Sequence, residues 1–357
     1  MRDATRTLLT GVLLAAAAML LVTLFAAIGS DRLGYDFRTY LEAAESVREG
    51  GSPYVAPESA LVEQGRAYVY PPQLAIVLVP LTAFPVDVAS ALGLLGALAA
   101  LVAALAVAGI RDLRCYAALL VSAPAWNALE MANLSAVLPL GLALAWRYRS
   151  TLWPLAGVVG ITVAAKVFVW PVVVWTAATG RLRAAGLALA VAAALTASAW
   201  AAIGFDGLTT YPSLLDRLAD AHASDSYSLI GVADALGLDG TFGRIAMLVV
   251  GGGLLAACVS LGREGDDRRA FTCAVAAALA LTPIVWQHHL VLLFVPLALS
   301  RPRFTPLWLA PACLWLAPRA GNGEGLESIL PAAVIAVLFA VLLVRLKTRG
   351  VAAEATT

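Results

Sequence analysis

Charge is scarce in this chain. Only 13% of its 357 residues are charged, against roughly a quarter in soluble domains, and the mean hydropathy is +0.86. A soluble globular domain is excluded. The four cysteines (Cys115, Cys258, Cys273, Cys313) sit in or beside apolar runs without the close spacing of a metal motif, so neither a disulfide framework nor a thiolate site is expected. There are three histidines, two lysines and no basic tract, which leaves no footprint for nucleic acid. No Asp-x-Asp pair, Walker-type glycine loop or nucleotide-binding pattern occurs, so a cytoplasmic nucleotide-sugar or ATP site has no support. No metal and no cofactor is expected. Alternating strands of about ten residues, the signature of a membrane barrel, are missing too.

What fills the chain is Leu, Ala and Val in uninterrupted runs: 8–29, 73–84, 86–109, 115–126, 133–146, 152–165, 167–179, 184–203, 242–261, 270–285, 288–300, 303–318 and 328–344. In lipid such runs must close their own backbone hydrogen bonds, so the expected fold is all-α, a polytopic bundle of about 11–13 transmembrane helices. The run 8–29 exceeds a signal-peptide core and is read as an uncleaved first helix. Several runs fall short of the roughly 20 residues a crossing needs. Breaks at Pro85, Lys166 and Pro283 predict half-helices or hairpins bordering a cavity. Residues 1–349 are expected to form one transmembrane domain, followed by a disordered cytoplasmic tail, 350–357.

Arginine and lysine set the orientation. Sixteen of the 24 basic residues fall in seven short segments: Arg2/Arg6, Arg111/Arg114, Arg147/Arg149, Arg181/Arg183, Arg263/Arg268/Arg269, Arg301/Arg303 and Arg345/Lys347/Arg349. The positive-inside rule makes all seven cytoplasmic. Both termini then face the cytoplasm across the plasma (inner) membrane, and loops 30–72, 204–241 and 319–327 lie outside. The first outer loop carries seven acidic residues against four arginines, and the second six aspartates against Arg217. In the first, Phe37, Tyr40, Leu41, Ala44 and Val47 recur at helical spacing up to Gly50-Gly51, predicting a structured loop with an amphipathic helix lying on the membrane.

Asp36 directly precedes that helix. It reads either as an N-cap or as a carboxylate available for proton transfer, and the two roles are compatible. Lys166 interrupts two apolar runs at a depth where an ionisable group marks a functional site, unless it snorkels to an interface. As an ammonium it suits a phosphate. His288 and His289 stand at a predicted outer end, where they are either an interfacial Trp-His belt with Trp286 or a phosphate or substrate contact; adjacent positions face different sides of a helix, so one at most lines a site. Glu130 and Asn133 lie at another outer turn, and Ser228 in the second outer loop. Convergence of five separated segments on the outer side favours an extracytoplasmic site.

Taken in order, Tyr35-Asp36-Phe37-Arg38-Thr39-Tyr40, Glu49-Gly50-Gly51-Ser52-Pro53-Tyr54, Tyr68-Val69-Tyr70-Pro71-Pro72-Gln73-Leu74, Ala164-Ala165-Lys166-Val167-Phe168-Val169-Trp170-Pro171, Ser226-Tyr227-Ser228-Leu229 and Thr282-Pro283-Ile284-Val285-Trp286-Gln287-His288-His289 resemble the motifs of the GT-C glycosyltransferases of family 87. These are the polyprenyl-phosphate-mannose-dependent α-1,2-mannosyltransferase-like proteins. The likeness covers nearly the whole chain. It departs at Ala132-Asn133, where the family usually has Gly-Gln, and at Val285 and Gln287, where Ser and Asp are common.

The resemblance implies a GT-C-like bundle moving a mannosyl residue from a polyprenyl-phosphate sugar donor to an envelope glycan or glycolipid acceptor at the outer face of the bilayer. It implies Asp36 as catalytic base, Lys166, His288 and His289 at the donor phosphate, and Tyr35, Arg38, Tyr70, Glu130, Asn133, Ser228 and Trp286 as substrate contacts. A polyprenyl-phosphate-arabinose donor fits the same motifs. A secondary transporter, which would carry internal repeats not visible here, and a non-catalytic envelope-assembly subunit are the alternatives of another class.

Overall fold

The computed structural model describes residues 2–30, 33–316 and 329–342. The third outer loop, the last basic segment, the tail 350–357 and residues Asp31 and Arg32 lie outside the described residues. All regular elements among those described are helices. In chain order they are α1 (Arg2–Ala26), α2 (Tyr35–Arg48), α3 (Ala60–Glu63), α4 (Gln73–Leu78), α5 (Val86–Val107), α6 (Leu113–Leu120), α7 (Ala123–Glu130), α8 (Leu138–Arg147), α9 (Leu152–Ala165), α10 (Pro171–Ala178), α11 (Leu182–Ala202), α12 (Tyr211–His222), α13 (Leu229–Ala235), α14 (Gly240–Arg263), α15 (Asp267–Ala280) and α16 (Phe294–Ser300). Tighter 3-10 turns occupy Val79–Ala83, Leu134–Ala136, Val167–Val169, Gln287–Leu293 and Pro306–Leu316, and a last helix covers Ile329–Leu342.

Four helices are long and apolar enough to cross a bilayer: Thr7–Ala26 of α1, then α5, α11 and α14. Seven other apolar stretches have only 10–17 residues. The breaks fall where the sequence placed them. Pro85 precedes α5, Lys166 ends α9 with extended backbone (φ −152°, ψ 104°), and the chain leaves helix between α15 and Gln287.

The short helices run out and back in three hairpins whose feet are held by charge. Asp267, at the start of α15, binds Arg181 through both oxygens (2.6 and 3.1 Å), Arg149 at 3.4 Å and the indole Nε1 of Trp175 at 2.6 Å. Arg149 precedes α9 and Arg181 follows α10, so α9 and α10 begin and end at one place, and Lys166 is the tip of the hairpin between them. Asp112, ahead of α6, holds Arg114 and accepts the Phe304 backbone N–H at 3.1 Å, which joins the foot of α6–α8 to the end of α16. The matching tips are Asn133, Lys166 and the segment 281–289.

Helix α2 is amphipathic as its spacing requires, and its apolar face is covered by protein. Phe37, Tyr40, Leu41, Ala43 and Ala44 are buried against α4, the 79–83 turn and α5. Removing each large side chain from water is worth about 1.5–3 kcal/mol, and this apolar face finds protein before it can find lipid. Gly93 of α5 makes the fit possible: a Cβ there would lie 2.6 Å from the Phe37 ring. The two predicted outer loops also touch. Tyr54 packs edge-on to Tyr211 at 5.2 Å, the Tyr211 hydroxyl donates to the Val69 carbonyl at 2.9 Å, and Arg217 pairs with Glu63 at 2.6 Å.

Candidate active site

Asp36 is placed by backbone, not by a cap of its own. Helix α2 starts at Tyr35 behind a left-handed Gly34 (φ 72°) with no side-chain cap, so the N-cap reading of Asp36 is wrong: it stands inside the first turn. The first-turn donors of a helix need outside acceptors. Here the Gly34 N–H goes to the Glu130 carbonyl (2.7 Å) and the Phe37 N–H to the Met131 carbonyl (3.3 Å). The end of α7 thus seats the start of α2, and the Asp36 side chain is left over for other work.

The chain turns from α7 toward Asn133 through Ala132, which adopts φ 44°. A left-handed alanine is uncommon. The turn carries Asn133 under Asp36, where the asparagine amide meets five groups. Its Nδ2 donates to Asp36 Oδ2 (2.6 Å), the Tyr40 hydroxyl (3.0 Å) and the Tyr70 hydroxyl (3.2 Å). Its Oδ1 accepts the Ser135 backbone N–H (2.7 Å) and faces Lys166 Nζ at 3.5 Å. Because a backbone N–H can only donate, the Ser135 contact fixes which end of the amide is oxygen.

Lys166 Nζ donates to Ser135 Oγ at 2.7 Å and lies 2.9 Å from His289 Nε2, beside the rings of Tyr70 and Phe168. The other ring nitrogen, Nδ1, accepts the Trp286 backbone N–H at 3.3 Å. In that tautomer Nε2 carries the hydrogen of a neutral imidazole and donates it along the 2.9 Å line to Lys166 as the uncharged amine, since an ammonium there would meet it donor to donor. His288 Nδ1 meets Asn127 Oδ1 at 3.0 Å, which makes Nδ1 the donor; its Nε2 is buried with no hydrogen-bond partner among the described residues. Asp36 Oδ1 takes no hydrogen bond from any described residue. Burial raises the Asp36 carboxyl above its ordinary range, opposed by the Asn133 hydrogen bond and the Lys166 charge. Burial likewise raises Tyr70, which stays a protonated donor.

Of the residues singled out in the sequence, Asp36, Tyr70, Asn133, Lys166 and His289 meet in this cluster, and His288 packs edge-on to His289 at 4.7 Å. Trp286 contributes its backbone, while its ring lies against His222. Others are used elsewhere. Tyr35 is exposed and donates to the Gln64 carbonyl, Arg38 reaches the Ser30 carbonyl, Glu130 accepts from Trp126 Nε1, and Ser228 caps α13 through the Gly231 N–H. Tyr40 and Ser135 were not anticipated. Tyr40 was legible, four residues after Asp36 and therefore on its helix face; Ser135 carries no such signal. A cavity of about 550 Å³ on α14, between Leu255 and Glu264, shares no lining residue with the cluster.

Residues 68–296 match Glycosyltransferase family 87. The chain belongs to glycosyltransferase family 87. It is a membrane glycosyltransferase, using a sugar donor, an acceptor and the bilayer. The family 87 match takes in Tyr70, Asn133, Lys166, His288 and His289 and begins after Asp36; the 2.6 Å bond from Asn133 is what joins that carboxylate to the matched region. No curated protein and no solved structure matches the chain.

Proposed function

We propose that this enzyme transfers a mannosyl residue from polyprenyl-phosphate-mannose to an envelope glycan or glycolipid hydroxyl at the extracytoplasmic face, by one inverting displacement. One observation carries the reading: a single asparagine amide separates a carboxylate with a free oxygen from a lysine–histidine pair. Group transfer to an alcohol needs both. Asp36 Oδ1 accepts the proton of the attacking hydroxyl as its oxygen bonds to the anomeric carbon. The carbon–oxygen bond to the lipid phosphate breaks in the same step, and the leaving phosphate keeps the electron pair. Lys166 and His289 stand where that charge develops, with the Tyr70 hydroxyl beside them. Attack opposite a β-linked phosphate gives an α-linked product without a covalent enzyme intermediate.

The sidedness rests on charge. The seven basic segments include the hairpin feet held by Asp267 and Asp112, while the acidic loops carry Asp36 and its neighbours; the positive-inside rule then puts the feet in the cytoplasm and the tips outside. A lipid-phosphate donor, already anchored in the bilayer, suits a site at hairpin tips. The test is incorporation of label from polyprenyl-phosphate-mannose, and in parallel from the arabinose donor, by membranes carrying wild type or Asp36→Asn. Mannose incorporation abolished by the substitution is expected. Incorporation from arabinose alone would change the donor, and incorporation from neither would overturn the proposal.

A further inference from the structure

Asn133 has no hydrogen-bonding capacity left for a substrate. Its amide has two N–H donors, and three oxygens compete for them: Asp36 Oδ2 at 2.6 Å, the Tyr40 hydroxyl at 3.0 Å and the Tyr70 hydroxyl at 3.2 Å. Its oxygen has two lone pairs, facing the Ser135 N–H at 2.7 Å and Lys166 Nζ at 3.5 Å. The residue is buried, with 2% of its surface exposed. The Ser135 N–H fixes the orientation of the amide, so its donor end is aimed at the carboxylate by a contact on its opposite end.

We propose that Asn133 is a positioning residue of family 87 catalysis in this chain: it locks Asp36 Oδ2 so that only Oδ1 meets the acceptor hydroxyl, and it holds the charged form of the base. The same amide links the base to Lys166, because its oxygen faces the lysine whose partner is His289. This rests on the reading of Asp36 as the base. A substrate contact would show itself in KM. A mere cap of the 134–136 turn, which Asn133 also provides, would show itself in stability. A residue that governs the protonation of Asp36 shows itself in the pH at which kcat falls on the acid side.

The groups able to influence that titration are few. On its own helix Tyr40 lies next to the Asn133 amide, Tyr35 beside Asp36 and Arg38 reaches the Ser30 carbonyl; Glu130, at the end of α7 that seats this turn, accepts from Trp126 Nε1, Tyr70 precedes α4, and Lys166 stands at the α9 tip. Helix α4 and the 79–83 turn have no titratable residue. Helix α5 has only Asp87, which lies near Gly29.

Asn133→Asp keeps the oxygen that caps Ser135 and faces Lys166 but sets a second carboxylate against Asp36, and two carboxylates in contact share one proton. Asn133→Ser removes the donor pair without adding charge. The measurement is the pH profile of kcat, with KM for donor and acceptor, in membranes matched for protein. Both variants are expected to move the acid limb up by about one pH unit or more, with each KM within about threefold of wild type. An unmoved limb in the variants that insert, or a more than tenfold rise in acceptor KM without a shift, overturns the assignment. Asp36→Asn run beside them separates the two failures: if it transfers sugar like wild type, the base reading has failed; if it is inactive while the limb stays put, only the role of Asn133 has.

Discussion

At the scale of single residues, the site is a set of polar groups whose hydrogen bonds nearly all point inward, leaving Asp36 Oδ1 as the open acceptor. Asp36→Asn should lower kcat by about 10²–10⁴, the usual contribution of a general base. It should not unfold the protein. Burial raises the carboxyl of the folded state above its unfolded value, so the folded protein holds this proton more tightly and loses stability as pH rises from the unfolded value through the raised one. At neutral pH the asparagine variant should therefore melt at the same temperature as wild type or higher, which thermal unfolding in nanodiscs checks; a lower melting temperature would mean that the charged form is favoured in the fold. For the same reason wild-type kcat should fall as pH drops through the raised value, above the ordinary carboxylate range, and a profile flat to pH 4 would contradict it. Ala132 offers a control. Its φ of 44° costs roughly 1 kcal/mol that glycine would not pay, so Ala132→Gly should leave kcat unchanged and stability equal or up to about 1 kcal/mol higher. A destabilised variant would show that the buried methyl outweighs the strain.

At the scale of elements, the docking of α2 decides whether Asp36 reaches Asn133. Gly93→Ala would drive a methyl into the Phe37 ring, and overpacking of this kind costs about 1–3 kcal/mol. The expected result is faster proteolysis of the 30–72 loop and a fall in kcat, reversed in part by Phe37→Leu; wild-type protease resistance would show that α2 is held by other contacts. Much of this layer was legible. The apolar spacing of Phe37, Tyr40, Leu41 and Ala44 predicts the helix, and the interruption of an apolar run by Lys166 predicts the break. The surface that α2 covers was not legible. An amphipathic face reads alike whether lipid or protein receives it, and the partner, Gly93, is distinguished only by the side chain it lacks. Capping failed at Asp36 for a related reason: the acceptors of the first-turn donors are carbonyls of α7, which no local pattern reports.

At the scale of the whole molecule, three hairpins lean on two aspartates. Asp267→Asn should weaken the anchoring of Arg149 and Arg181. Since Asp267 is about a fifth exposed (22%), a loss of about 2–3 kcal/mol is expected, below that of breaking a fully buried pair. Catalysis at low temperature should be spared, because the proposed site lies at the tips and not at the feet; a specific loss of kcat without a change in melting would refute that division. The all-α class and the segregation of arginine from acidic loops follow from composition and charge bias alone. The meeting of Asn133, Lys166 and His289 does not, because it depends on the lengths at which three separate hairpins turn back. Those lengths have a further consequence. Helix α9 has 14 residues and so rises about 21 Å, against a hydrocarbon core of about 30 Å. With the hairpin feet at the cytoplasmic boundary, as in the proposed function, Lys166 would stop several ångströms short of the opposite one, and the phosphate of the proposed donor would sink to meet it while its isoprenoid chain stays in the bilayer. Tail length beyond the first few isoprene units should then matter little to affinity, and a donor analogue with a clipped tail should still turn over.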